Sequence, residues 1–176
     1  MIDLEPDDYV AMTVRKTAWY TAVLPLRAGA LIGSHGTASL GRLTRFGCFL
    51  GVAFQIHDDL LNLRDGGFDG KDQYGDLREG KRTLMMLHLL DVAPEPERSA
   101  IVEFLRRPEE SRTDGDIQGV IRAMNAHGSI GFAEEFRASM TGAAESEFGQ
   151  AFAETPDSVH KDFLRSLVAY VVERRL

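Results

Sequence analysis

The stretch that most constrains the fold is an apolar run of helical periodicity at residues 46–63, which carries two adjacent carboxylates, Asp58 and Asp59. Burying two carboxylates in such a run is costly unless something offsets their charge. An α-helix turns once per about 3.6 residues. Gln55, Asp58, Asp59 and Asn62 stand at i, i+3, i+4 and i+7, so they share one face of the predicted helix. The result is an oxygen-rich stripe on a greasy helix. Such a stripe is either a solvated face with an ordinary Asp pair or a set of hard ligands suited to Mg²⁺, which keeps several waters and bridges to phosphate oxygens.

A glycine-rich segment at residues 66–83 follows, with Lys71 and Lys81 each directly after a glycine. Glycine lets backbone approach a ligand closely, and lysine is a compact charge for phosphate. A flexible surface loop with scattered charges would have the same composition. In combination with the carboxylate face, the segment points to a metal–diphosphate site.

The order F-Q-I-x-D-D-L-L-N-L, then G-K-D-x-x-x-D-L-x-x-G-K-x-T-L, resembles the second aspartate-rich region of the trans-isoprenyl diphosphate synthases, the head-to-tail prenyltransferases also called polyprenyl synthetases. Upstream, Lys16-Thr17 before a run of small residues is similar to that family's Lys-Thr element. The resemblance implies an all-α bundle of the isoprenoid synthase type, with this chain as its C-terminal part and a single domain over residues 1–176. It implies that Lys16 and Thr17 meet an allylic diphosphate, and that Gln55, Lys71 and Lys81 contact diphosphate, with Asp72 and Asp76 as helpers. Asp58 would be the direct Mg²⁺ ligand, with Asp59 and Asn62 holding water or outer contacts. Phe54 would either line a prenyl-chain cavity or pack in the core. Asn62 stands where many relatives have a third aspartate, and Met85 where many have proline.

The family's first aspartate-rich motif and its isopentenyl diphosphate site precede the Lys-Thr element. Asp7-Asp8 is too short and too close to Lys16 to replace them. The expectation is therefore a diphosphate-binding half that works as a homo-oligomer or with a chain carrying the missing half. Alternatives are a non-catalytic regulatory or partner-binding subunit, and a terpene-cyclase-like enzyme.

The net charge of −7 excludes general nucleic-acid binding. One cysteine, Cys48, forbids an internal disulfide and fits a small core residue in a reducing cytoplasm. No apolar run reaches membrane-spanning length without an Arg or Asp break. Elsewhere the spacing predicts helices over 6–32, kinked or split at Pro25, and over 82–90, 97–106, 116–126, 128–152 and 156–175. Residues 64–80 read as a loop too charged to bury, 108–112 as a polar linker, and His127 and His160 as isolated surface histidines. No strand pattern or internal repeat is evident.

Overall fold

A computed structural model describes residues 4–63 and 74–173. Among them every regular element is helical, as the periodicity predicts. The chain divides into two compact units, Met1–Tyr9 with Asp58–Glu135, and Val10–His57 with Phe136–Leu176.

The N-terminal helix is continuous but changes type. It runs as α1 (Pro6–Thr13), a π-helical stretch (Val14–Val23) and α2 (Leu24–Gly33). Where the sequence predicts a kink or split at Pro25, the winding changes from π to α at Leu24. Pro25 sits in the first turn of α2, where its fixed φ suits the start of the new winding. The Leu24 N–H ahead of it bonds Trp19 O, five residues back. Lys16 and Thr17 thus lie in widened turns, a form often found at functional sites.

The long apolar run becomes α3 (Leu40–Leu61). Its glycines Gly47 and Gly51 let it pack closely on the N-terminal helix. A Cβ at Gly51 would meet Ala18 Cα at 2.5 Å, and one at Gly47 would meet Val23 Cα at 3.0 Å. On another side Phe46, Leu50 and Ala53 join Ala144 and Phe148 of α8 (Ser129–Ala151) and Val168 and Val171 of α9 (Val159–Glu173). Phe46 meets Phe148 edge-on at 5.4 Å. Burying such a ring contributes about 1.5–3 kcal/mol. Cys48 is only half-buried, and burial raises its thiol pKa.

The other unit centres on α5 (Leu84–Val92), whose Leu84, Met85, Met86, Leu87, Leu89 and Leu90 are buried. Met85, at 1% exposure, fills the proline position with core. Thr83 caps α5, accepting from the Met86 N–H at 3.4 Å. Around it lie α6 (Glu97–Arg106) and α7 (Asp114–Ala126).

Three expectations change here. The end of the charged loop is not exposed coil: α4 (Gly75–Glu79) forms there, with Tyr74, Asp76 and Leu77 buried. Leu77 and the Tyr74 ring give it apolar surface to bury. The linker at 108–112 contains a 3-10 turn (Glu109–Ser111) followed by a buried Arg112. His127 is not isolated, since its Nε2 lies 2.7 Å from Glu97 Oε2. His160 is exposed, as expected.

Candidate functional site

In the unit formed by Val10–His57 and Phe136–Leu176, Thr17 and Gln55 meet. The Thr17 hydroxyl donates to Gln55 Oε1 at 2.9 Å, joining the π-helical stretch to α3. The bond turns the Gln55 carbonyl toward Thr17. Lys16, the preceding residue, is exposed. Phe54 is partly buried and packs against the Phe46–Phe148 cluster. His57 is buried, and its Nδ1 lies 3.0 Å from Arg137 Nη1. A guanidinium has only donors, so Nδ1 is the acceptor in this contact.

In the other unit, the adjacent aspartates take different roles. Asp59 is 4% exposed and Tyr9 is 3% exposed; the Tyr9 hydroxyl donates to Asp59 Oδ2 at 2.7 Å. Tyr9 is a residue sequence reasoning passed over as generic apolar surface. Asp58, about 100° further round the helix, is half-buried, and among the described residues its carboxylate takes no hydrogen bond. Asn62 Oδ1 accepts the Asp76 N–H at 3.0 Å. Asn62 therefore ties the end of α3 to α4, a use that an amide serves as well as a carboxylate.

Lys81 follows α4. Its ammonium bonds the Asp76 carboxylate and lies 3.5 Å from Glu79 Oε2. Burial pulls its pKa down, but the bond and charge of Asp76, with Glu79, outweigh this and raise it. Lys81 is exposed and charged, while Asp76 beneath it is buried. Lys71 and Asp72 lie outside the described residues.

The structure thus brings together Thr17 with Gln55, and Asn62 with Asp76 and Lys81. Among the described residues no group of three or more His, Cys, Asp or Glu could hold a metal by itself. A donor set led by one open carboxylate suits Mg²⁺, which is bound through one or two carboxylates plus waters and phosphate oxygens. No described helix is long and apolar enough to cross a membrane.

Residues 1–124 match the family model described as polyprenyl synthetase. The chain is 34% identical over 110 residues to the short chain isoprenyl diphosphate synthase of Methanothermobacter thermautotrophicus, covering 62% of this chain and 34% of that protein. It is 31% identical to the octaprenyl diphosphate synthase of Escherichia coli, covering 98% of this chain and 51% of that one. Among solved structures, the geranylgeranyl pyrophosphate synthase of Corynebacterium glutamicum, complexed with isoprenyl diphosphate and magnesium, superposes with a TM-score of 0.81 at 27% identity. That match covers 97% of this chain and 47% of the other. The chain spans about half the length, or less, of these relatives.

Proposed function

Because the chain belongs to the polyprenyl synthetase family, we propose that it supplies the metal–diphosphate-binding half of a prenyltransferase. The enzyme would join isopentenyl diphosphate to an allylic diphosphate, giving a linear isoprenyl diphosphate. We read its 176 residues as one partial isoprenoid synthase domain. The observation that carries the reading is Asp58: a half-buried carboxylate without a hydrogen bond among the described residues, beside two polar neighbours already engaged.

Asp58 would hold Mg²⁺ directly, with Asp59 and Asn62 keeping the helix end in place. Magnesium, when bound, neutralises charge on the departing diphosphate. Lys81, with Lys71, would hold diphosphate oxygens in the unit that carries Asp58; in the other unit Lys16 would meet an allylic diphosphate, with Thr17 orienting Gln55. As the allylic C–O bond breaks, its electron pair leaves with the diphosphate, and charged donors aimed at that oxygen lower the barrier. The alkene of isopentenyl diphosphate then forms the new C–C bond to the allylic cation, and a proton is lost.

The cytoplasm suits these water-soluble substrates. A second copy, or a chain carrying the rest of the fold, would cover exposed apolar residues such as Tyr20 (68%) and Ile32 (78%).

Calorimetric titration of inorganic diphosphate with Mg²⁺ tests the reading. Wild-type protein should bind in a Mg²⁺-dependent way, and Asp58→Ala should bind at least about tenfold more weakly with its melting temperature unchanged. Equal binding by Asp58→Ala and wild type would remove the basis of the proposal.

A further inference from the structure

Arg112 lies outside the residues assigned above, is buried at 9% exposure and donates four hydrogen bonds. Its Nε donates to Phe104 O at 3.2 Å, and its Nη2 to Leu105 O at 3.3 Å and Arg107 O at 2.8 Å. Its Nη1 donates to Arg78 O. The first three acceptors are carbonyls at the end of α6, which lack partners within their own helix and attract a cation. The fourth belongs to α4. One guanidinium therefore fastens α4 to the end of α6. Among the described residues no ion pair to a carboxylate is seen for it; its charge is met by these carbonyls and by the Phe104 ring, whose centroid lies 5.4 Å from Cζ.

This fastening bears on Lys81. α4 has five residues and no side-chain cap at Tyr74, too short to persist without outside contacts. It ends at Gly80, in the left-handed region at φ +70. Gly80 lies close against the guanidinium: a Cβ there would meet Arg112 Nη2 at 2.6 Å and Cζ at 2.9 Å. Arg82 Nη1 donates to Gly80 O at 2.5 Å. The Lys81 N–H donates to Asp76 O at 2.9 Å. The backbone on which Lys81 stands is thus pinned from one side by Asp76 and from the other by Arg112. A lysine at position 112 would keep the charge but not the planar fork that reaches four acceptors.

We propose that Arg112 is a positioning residue for Lys81: by clamping the α4–Gly80 corner to the end of α6, it sets where the Lys81 ammonium meets the diphosphate. The inference rests on the reading of Lys81 as a diphosphate contact. The test is titration of inorganic diphosphate with Mg²⁺ into the chain carrying Arg112→Lys, Gly80→Ala, Lys81→Ala, or Lys81→Ala combined with each of the first two. Circular dichroism checks that each variant is folded. Arg112→Lys and Gly80→Ala should each bind roughly tenfold more weakly than wild type. In the Lys81→Ala background neither should weaken binding further, because the two act as one unit. If Arg112→Lys does not fold, Gly80→Ala carries the comparison, since it disturbs the same contact from the glycine side. Wild-type affinity in the folded variants, or the same loss with and without Lys81, overturns the proposal. Wild-type protein that binds no diphosphate, or Lys81→Ala that binds normally, overturns the reading of Lys81 and the proposal with it.

Discussion

Gly51→Ala sets two effects of known sign against each other. Gly51 lies inside α3, where replacing glycine by alanine favours the helix by about 1 kcal/mol. The same methyl group would meet Ala18 Cα at 2.5 Å and come closer still to Ala18 Cβ. Ala18 is fully buried and has no rotamer that moves these atoms away. Relief requires the π-helical stretch to shift away from α3. Overpacking of this kind costs about 1–3 kcal/mol, and contact with backbone places it at the upper end. The net is a destabilisation of about 1–2 kcal/mol, or roughly 2–8 °C in melting temperature for a chain of this size. The shift would also stretch the bond from Thr17, next to Ala18, to Gln55, now 2.9 Å. Gly142→Ala is the control, since it lies in α8 with nothing within 4 Å of its Cβ. It should raise the melting temperature, leaving only the propensity gain. Thermal melts followed by circular dichroism would compare the two. A Gly51→Ala protein as stable as wild type would refute the close-packing argument.

Thr83→Ala should lower stability by about 1 kcal/mol, or roughly 2–4 °C, because the Met86 N–H loses its cap at the start of α5; Thr83→Ser, which keeps the acceptor oxygen, should recover most of that in the same melt. His88 gives a pH signature. Burial pulls its pKa below the usual 6.5; Asp91 opposes this and His127 adds to it. Its folded pKa is thus below its unfolded one, so its contribution is complete above 6.5 and is lost as pH falls from there through the lower folded value. His88→Gln should therefore lose less melting temperature than wild type between about pH 7.5 and about pH 5.5, and an identical slope in the two proteins would count against the burial of His88 as its cause.

Much of the fold was legible because helical periodicity reports burial directly. The helix expected at 97–106 is α6, Glu97–Arg106, with Ile101, Phe104 and Leu105 buried as their spacing implies. α7 begins at Asp114, two residues before the expected start, and the signal was present in Thr113 and Asp116, which form a capping box. α4 was missed because five residues carry too little periodicity to stand out from a charged segment. Arg112 was missed for a different reason. Its partners are backbone carbonyls, which every residue carries, so no side-chain pattern announces them. The candidate site shows the same division. The motif F-Q-I-x-D-D-L-L-N-L specifies ligand chemistry, an oxygen-rich helix face, but assigns identical chemistry to Asp58 and Asp59. What separates them is Tyr9, 50 positions away, whose hydroxyl engages one carboxylate. Asn62 is likewise taken up by the Asp76 N–H, 14 positions on. With Asp59 and Asn62 engaged by distant partners, Asp58 is the carboxylate of the stripe that takes no hydrogen bond among the described residues, a distinction that local spacing cannot carry and that only the folded chain makes.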